Sequence, residues 1–220
     1  MIKVFLGYDP RESVAWHVAA HSIMRHASVP VSVTPLVLSQ LPLTRPKEGS
    51  TEFSFSRFLV PWLCNYEGLA IFMDCDVLLR ADIRQLLDQA SYSMTVRKDA
   101  VAVVKHQYTP KSDVKMDGQR QLPYDRKNWS SVMVFDCWRC KALTPHVVNT
   151  MPGLWLHQFR WLHDDEIGEL PAEWNVLIGE QIPDDPKLLH YTLGIPTMPG
   201  YEDCEFAGEW RDEARRVRGF

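Results

Sequence analysis

Two aspartates, Asp74 and Asp76, end a strongly apolar stretch of this chain, Leu69-Ala-Ile-Phe-Met-Asp-Cys-Asp-Val-Leu-Leu79. Side chains two residues apart in a strand point to the same side, so both carboxylates are predicted to project together from its carboxyl end. Paired carboxylates bind hard divalent cations such as Mg²⁺ or Mn²⁺, usually with phosphate oxygens completing the shell. The pattern therefore indicates a metal site; the alternative is that the two acids cap the element that follows.

Two other pairs have spacings suited to zinc or redox chemistry, but their contexts argue against both. His17 and His21 lie four residues apart on a predicted helix, yet Val18 stands where a zinc protease motif needs Glu. A solvated helix face is the favoured interpretation. Cys137 and Cys140 have the C-x-x-C spacing without the second cysteine pair that such a zinc site needs. Because the chain has five cysteines, an odd number, we expect reduced thiols.

The composition predicts a globular protein that does not bind nucleic acid. The chain has 220 residues, 45% of them hydrophobic, including eight Trp, which is enough for a substantial core. The formal net charge is -4, so a polycationic surface for nucleic acid is not expected. No apolar run approaches the roughly 20 residues that span a bilayer, and the first residues enter a strand too early for a signal peptide. We expect a cytoplasmic protein.

A group of basic residues lies near the C-terminus and could give weak peripheral contact with anionic lipid. Asp212 and Glu213 offset their charge, which favours a solvated terminal helix. The residues of this tail are Arg211, Arg215, Arg216 and Arg218, together with Phe220.

Strand and helix patterns alternate along the chain, which predicts an α/β domain with a mixed, mainly parallel central sheet. Ligands of such sheets gather at the carboxyl ends of the strands. The long polar stretch 107–128 has no periodicity and is interpreted as a lid or binding loop. Strands are predicted at residues 2–6, 31–38, 69–73, 92–96, 101–104 and 130–136, with a further one ending near His190. Helices are predicted at 16–27, 53–66 and 154–162, and after the cap Asp82.

The order of these motifs resembles the glycosyltransferases of the GT-A fold, and within them family 8 and its small bacterial and viral relatives. The resemblance extends from Ile2 to about Gly200. It implies a Rossmann-like single domain, 1–220, in which 1–105 bind the nucleotide and 106–220 bind the sugar and the acceptor. It also implies transfer of a sugar from a nucleotide-sugar donor, a UDP-sugar, to an acceptor hydroxyl with retention, and Mn²⁺ or Mg²⁺ as cofactor.

The same resemblance implies a role for each of several residues. The metal ligands are Asp74, Asp76 and His190. Tyr8 and Asp9 contact the base of the donor, and Arg57 reaches its phosphate or sugar. The small residues at the sugar are Ser130 and Ser131, although family 8 has Asn directly before two small residues, whereas Trp129 intervenes here. The carboxylates beside the reacting carbon are Asp164 and Asp165, with Asp165 preferred.

The segment after Gly194 departs from the family 8 pattern. Family members tend to have Lys-Pro-Trp there, and that lysine clamps the diphosphate, but residues 195–200 of this chain are Ile-Pro-Thr-Met-Pro-Gly and no lysine follows. Two alternatives remain for the phosphate contact. Backbone N–H groups near Gly194 could bind it, or side chains of Lys105, Arg126 and Lys127 could replace the lysine.

Two other functions compete with this interpretation. A nucleotidyltransferase of sugar phosphates shares the metal carboxylates, but it normally has a Gly-rich basic loop after the first strand, and 7–11 reads Gly-Tyr-Asp-Pro-Arg. A catalytically degenerate nucleotide-sugar-binding module is the non-enzymatic alternative, and the altered segment after Gly194 favours it.

Overall fold

A six-stranded mixed sheet forms the centre of the protein. The structure is a computed structural model that describes residues 1–45, 51–107, 114–115, 119–120 and 124–218. The strands are β1 (Ile2–Gly7), β2 (Val31–Leu36), β3 (Leu69–Met73), β4 (Val77–Leu79), β5 (Val101–Val103), β6 (Val114–Lys115), β7 (Gln119–Arg120), β8 (Val132–Asp136), β9 (Ile167–Glu169), β10 (Val176–Leu177) and β11 (Leu188–His190). The α-helices are α1 (Ser13–His26), α2 (Val60–Leu63), α3 (Ile83–Arg97), α4 (Pro145–Thr150), α5 (Gly153–His157) and α6 (Ala207–Arg218).

The central sheet has the strand order β2-β1-β3-β8-β5-β9. Strand β8 runs antiparallel to its neighbours β3 and β5, and the other neighbouring pairs are parallel. The carboxyl ends of β1, β3 and β5 and the amino end of β8 therefore lie at the same edge. This confirms the predicted α/β class with a mixed, mainly parallel sheet, and that edge is where such folds bind ligands.

A second, three-stranded sheet has the order β10-β11-β4. Strand β4 begins directly after Asp76, and β11 pairs with it antiparallel, which places His190 opposite Val77. On its other side β11 runs parallel to β10, where His190 pairs with Leu177. The small sheet therefore brings a C-terminal segment beside the two acids.

The central strands bury apolar side chains on both faces. In β3, Ala70 and Phe72 belong to a core cluster that includes residues of α2 and α5. Ile71 and Met73 belong to the opposite cluster, which includes residues of α1 and α3. A strand covered on both faces is apolar throughout, which explains the unbroken run before Asp74.

Helix α6 docks on α1 through one buried carboxylate. Glu213 is 1% exposed and binds His21 at 2.6 Å, Arg25 at 3.0 Å and Arg216 at 3.2 Å. Burial alone would raise the pKa of Glu213, but the hydrogen bonds from Arg25 and His21 outweigh it and the pKa is lowered. His17 is exposed. The predicted solvated face of α1 thus holds for His17, whereas His21 contacts α6.

The strand predicted at Tyr92–Val96 is wrong, because this range lies in α3. The side chains of Tyr92 and Val96 are 74% and 62% exposed. The helix instead buries a stripe with the helical spacing of three to four residues, formed by Ile83, Leu86, Ala90 and Met94. The β preference of Tyr and Val was a weaker signal than this stripe.

Two helices are shorter than the sequence predicted, and five strands of the described residues, β4, β6, β7, β9 and β10, were missed. In place of a helix at 53–66 the chain forms a 3-10 turn, Ser56–Leu59, followed by the single turn of α2, which has Pro61 at its start. The helix predicted at 154–162 is limited to α5. Strands β4, β9 and β10 have only two or three residues, too few to show a period.

Several expectations on composition and termini can also be compared with the structure. All five cysteines are free thiols, as expected. Among the described residues, none of the helices has the length and apolar character needed to span a bilayer. The loop predicted at 107–128 lies largely outside the described residues, as do the side chain of Arg218 and the whole of Phe220.

Candidate active site

Asp74, Asp76 and His190 form a compact cluster at the carboxyl edge of the central sheet. One ligand atom from each residue lies within 4.8 Å of the other two. His190 Nε2 is 3.3 Å from Asp76 Oδ1 and 3.9 Å from Asp74 Oδ2. Asp76 and His190 are 5% and 1% exposed. Two carboxylate oxygens and one imidazole nitrogen in this space are a donor set that fits a divalent cation.

The turn between the two sheets places both acids. Strand β3 ends at Met73, so the acids meet in a turn and not through strand alternation as predicted. The N–H of Asp74 donates to the Ser131 carbonyl at 2.9 Å. The N–H of Tyr191 donates to the Asp76 carbonyl, also at 2.9 Å. Each acid is therefore tied by its backbone to a residue that adjoins a strand of a different sheet, Ser131 before β8 and Tyr191 after β11.

Arg57 holds the carboxylate of Asp74 from inside the protein. Its Nη1 lies 2.9 Å from Asp74 Oδ1 and donates to the Ser130 carbonyl at 2.8 Å. Its Nε donates to the Phe53 carbonyl at 3.2 Å. The guanidinium also lies 4.9 Å from the centre of the Phe72 ring, and the residue is only 5% exposed. Arg57 is thus part of the predicted site, where it orients Asp74.

Asn175, which the sequence did not single out, contacts the far side of His190. Its Oδ1 lies 2.9 Å from His190 Nδ1, and its Nδ2 donates to Ser131 Oγ at 2.8 Å. The hydroxyl of Ser131 donates to the Asn128 carbonyl at 2.6 Å. Ser131 is therefore linked through one amide to the histidine of the cluster.

Ser130 lies against a half-buried histidine, His157. Its Oγ is 2.8 Å from His157 Nδ1, and the imidazole packs edge-on against Phe58 with the ring centres 5.2 Å apart. Burial, with the nearby charges of Arg57 and Arg45, lowers the pKa of His157 to about 3. The ring is neutral at physiological pH. Both predicted serines therefore lie at the cluster, with their hydroxyl groups hydrogen-bonded within the protein.

A curated relative establishes the family of this chain. It is 46% identical to Protein CDI of Arabidopsis thaliana over 225 residues, a match that covers 96% of this chain and 85% of that protein. The chain belongs to the Protein CDI family. No protein-family model matches the sequence of this CDI-family member.

Solved structures with the same fold are glycosyltransferases. The apo bifunctional glycosyltransferase WbbM superposes with a TM-score of 0.67 at 15% identity, over 99% of this chain and 51% of its own, so the CDI-family chain spans about half of it. GlyE of Streptococcus pneumoniae TIGR4 superposes with a TM-score of 0.61 at 15% identity, over 97% of this chain and 60% of GlyE. The galactosyltransferase LgtC, in complex with donor and acceptor sugar analogs, superposes with a TM-score of 0.54 at 14% identity, over 98% of this chain and 96% of LgtC. The predicted GT-A fold is confirmed, and membership of family 8 stays a prediction.

In the CDI-family protein, Asp9 secures the loop after β1. Its buried carboxylate accepts hydrogen bonds from the Arg11 backbone and Nε, both at 3.0 Å, from Arg11 Nη2 at 2.6 Å and from the Glu52 backbone at 3.1 Å. Burial would raise its pKa, but these bonds outweigh burial and lower it. Four bonds fill the acceptor positions of a carboxylate. The half-buried Tyr8 is held beside it, and contact of either residue with a base stays a prediction.

Asp164 and Asp165 lie in an exposed turn and are not part of the cluster. Asp164 Oδ1 accepts from Arg126 Nη2 at 2.6 Å, and its side chain is 80% exposed. The hydrogen bond and charge of Arg126 lower the pKa of Asp164. Arg126 lies in the loop that leads to the two serines, so its pair with Asp164 ties the acidic turn to that loop. Arg126 also donates to the Gln158 carbonyl at 2.9 Å. The catalytic role of Asp164 and Asp165 stays a prediction.

Gly194 is fixed by packing. A Cβ at this position would lie 2.4 Å from Cδ2 of Tyr201, so the tyrosine ring needs a glycine there. The Gly194 N–H donates to the Tyr191 carbonyl at 2.9 Å, which engages the backbone donor of that residue. Phosphate binding by Gly194 stays a prediction.

The three basic residues proposed to replace the family lysine have different surroundings. Lys127 is 8% exposed, and its Nζ lies 5.3 Å from the centre of the Tyr124 ring. Its charge is one of the causes that lower the pKa of His157. Lys105 and Arg126 lie over the Trp129 ring at 5.7 and 5.4 Å. Lys127 is the one that extends inward.

Two further residues near the cluster, His106 and Tyr124, were not predicted from the sequence. Burial, with a smaller effect of the nearby imidazole of His190, lowers the pKa of His106 to about 4. Burial raises the pKa of Tyr124, with smaller opposed effects from the charges of Arg57 and Asp74. No spacing pattern involves either residue. Tyr124 lies in the stretch 107–128 that was interpreted as a lid or binding loop, and His106 directly precedes that stretch.

Proposed function

We propose that this CDI-family protein is a metal-dependent glycosyltransferase that moves a sugar from a nucleotide-sugar donor, a UDP-sugar, to an acceptor hydroxyl with retention. The observation that carries the proposal is the convergence of Asp74, Asp76 and His190 at the ligand edge of a GT-A sheet. Similar solved structures are glycosyltransferases, one of them in complex with donor and acceptor sugar analogs. Both support the reaction class.

The three ligands suit a cation that binds a diphosphate. Asp74 and Asp76 would supply oxygen and His190 nitrogen, and a nitrogen ligand favours Mn²⁺ over Mg²⁺. When bound, the cation neutralises the phosphates of the leaving nucleotide. Arg57 keeps Asp74 oriented, so that one carboxylate oxygen faces the guanidinium and the other faces His190.

In the proposed reaction the bond between the anomeric carbon and the phosphate oxygen breaks and its electron pair leaves with the nucleoside diphosphate. A bond forms between the acceptor oxygen and the anomeric carbon, and the proton of the acceptor hydroxyl passes to the departing nucleoside diphosphate. Tyr8 and Asp9 are proposed at the base, Ser130 and Ser131 at the sugar, and Gly194 at the phosphate. Asp164 and Asp165 are proposed to stabilise positive charge on the sugar.

The division into a nucleotide part, 1–105, and a sugar and acceptor part, 106–220, belongs to the same proposal. We place the protein in the cytoplasm, where its five free thiols would stay reduced. Imaging of a tagged full-length chain tests that location.

Calorimetry and a donor screen test the function. UDP should bind more tightly with Mn²⁺ than with chelator, and one nucleotide sugar should be hydrolysed slowly in a metal-dependent way. Asp76→Asn should abolish both effects, whereas Asp88→Asn, at an exposed carboxylate of α3, should leave them unchanged. Equal UDP affinity with and without Mn²⁺, together with no hydrolysis of any donor, would refute the proposal.

A further inference from the structure

We propose that Asn175 is a positioning residue: its amide fixes the tautomer of His190, so that the lone pair of Nε2 faces Asp74 and Asp76. The cation that this lone pair would bind is the one required by the proposed function, so the inference rests on that function. The tautomer itself follows from a chain of hydrogen bonds that starts at a backbone carbonyl.

The first step is the orientation of the Asn175 amide. The carbonyl of Asn128 can only accept a hydrogen bond, so Ser131 Oγ, 2.6 Å away, must donate its proton there. The hydroxyl oxygen then has only lone pairs for its other neighbour. The amide atom of Asn175 at 2.8 Å must therefore be the donor Nδ2.

The second step transfers this orientation to the histidine. With Nδ2 facing Ser131, the atom of Asn175 that lies 2.9 Å from His190 Nδ1 is the oxygen Oδ1. An amide oxygen only accepts, so Nδ1 carries the proton. In the neutral form of the imidazole this is the single N–H, so in that form Nε2 carries the lone pair, 3.3 Å from Asp76 Oδ1 and 3.9 Å from Asp74 Oδ2.

Burial keeps water away from the hydrogen bonds among Ser131, Asn175 and His190. Asn175 is fully buried, and His190 and Ser131 are 1% and 3% exposed, so water does not compete for these bonds. With His190 neutral and its proton on Nδ1, three electron-pair donors converge, and this is the state that binds a cation. Histidine ligands of metals generally donate their second N–H to a neighbouring oxygen, and loss of that neighbour weakens metal binding about 10- to 100-fold.

The relay also joins the two sheets. Ser131 lies directly before β8 of the central sheet, and Asn175 lies directly before β10 of the small one. Since His190 pairs with Leu177 of β10, the amide holds the imidazole relative to the sheet that carries Asp74.

Nuclear magnetic resonance of the metal-free protein tests the tautomer, and calorimetry with Mn²⁺ tests its consequence. With ¹⁵N-labelled histidine, wild type should show the Nδ1–H form of His190, identified as the signal that His190→Gln removes. Asn175→Leu should lose this form and raise the Mn²⁺ dissociation constant at least tenfold. Asn175→Asp keeps the oxygen that accepts from Nδ1, while the Ser131 hydroxyl turns its proton from the Asn128 carbonyl to the second carboxylate oxygen, and this variant should retain both. Asn149→Leu, which removes an amide that binds the backbone of Thr44, is the matched control and should change neither.

Two results would overturn the inference. One is an Nε2–H tautomer in the wild type, and the other is a folded Asn175→Leu variant with unchanged tautomer and Mn²⁺ affinity. If circular dichroism shows that Asn175→Leu does not fold, Ser131→Ala decides, because it should give mixed tautomers. A wild type that binds no Mn²⁺ but shows the Nδ1–H form would contradict the metal of the proposed function and leave the role of Asn175 in setting the tautomer supported.

Discussion

At the scale of single residues, Arg57 shows how the cluster is kept in one geometry. Its guanidinium contacts two backbone carbonyls and one carboxylate at once, and two of these three bonds come from the same nitrogen. A planar fork with fixed directions suits this task, whereas an ammonium group is a single point charge on a flexible stem. The charge of Arg57 alone would not orient Asp74.

We therefore expect Arg57→Lys to weaken Mn²⁺-dependent UDP binding at least tenfold, although the positive charge is kept, because the orientation of Asp74 is lost. Calorimetry of the variant measures this. Arg84→Lys, at an arginine of α3 that is 57% exposed, should bind like wild type. An unchanged affinity in Arg57→Lys would show that charge suffices.

His157 should make stability sensitive to mild acid. Its pKa is about 3 in the folded protein against an ordinary value of 6.5. Between these values the unfolded chain binds a proton that the folded chain does not, so the free energy of unfolding falls as the pH falls below 6.5. The expected loss from this one residue between pH 8 and pH 5 is about 2 kcal/mol.

Urea unfolding at the two pH values measures the loss. His157→Gln should remove about 2 kcal/mol of the difference between pH 8 and pH 5, whereas His146→Gln, at an exposed position, should keep the wild-type dependence. An equal dependence in wild type and His157→Gln would mean that the folded protein accommodates the proton on His157.

The residues at the cluster differ in how far the sequence predicted them. Asp74, Asp76 and His190 were predicted, because acids after an apolar strand carry a local signal and the histidine followed from a family resemblance. Asn175 was not, because its partners His190 and Ser131 are 15 and 44 residues away in the chain and only the folded structure brings them together. A hydrogen bond between residues so far apart in the chain produces no periodic pattern and no local composition from which it could be predicted.

At the scale of elements, α6 is attached to α1 by one buried acid in addition to the apolar cluster that Trp210 shares with Ala15 and Val18. Replacing Glu213 with Gln leaves Arg25 and Arg216 without their carboxylate, so we expect a loss of about 2 kcal/mol of unfolding free energy. This is less than the 3–5 kcal/mol of a fully buried pair because both arginines are partly exposed. Urea unfolding followed by Trp210 of α6, which is 1% exposed, reports the loss.

Glu209 provides the matched control on the same helix. It pairs with Arg80 at 3.0 Å, but the two side chains are 46% and 31% exposed. Surface pairs of this kind contribute about 0–1 kcal/mol, so Glu209→Gln should change stability less than Glu213→Gln. Equal losses in the two variants would contradict the docking role of Glu213.

Elements were predictable from sequence where they are long. Strand β1 and helix α1 each have enough residues to show continuous apolar character or a helical stripe. Strands β4, β10 and β11 have two or three residues each, and their pairing depends on contacts between distant parts of the chain. The small sheet that positions His190 was therefore beyond a reading of local patterns.

At the scale of the whole molecule, the cluster takes its ligands from two sheets, so a bound cation should stabilise the protein as a unit. Saturation at about 100 times the dissociation constant adds about 2.7 kcal/mol, which corresponds to a rise in Tm of about 5–10 °C for a chain of this size. Thermal unfolding with Mn²⁺ and then with chelator measures the rise and its reversal.

Asp76→Asn should show no such rise, since it removes a ligand, and Asp88→Asn should behave like wild type. A rise of equal size in Asp76→Asn would place the stabilising cation elsewhere on the protein.

The position of β11 between β10 and β4 also sets the order in which a growing chain can complete its site. Asp74 and Asp76 leave the ribosome well before Asn175 and His190, and β11 can pair with β4 only once the later segment has been synthesised. A nascent chain that stops before His190 can build most of the central sheet, yet it lacks the third ligand. We therefore expect the proposed cation to bind only to chains that have been synthesised at least through His190.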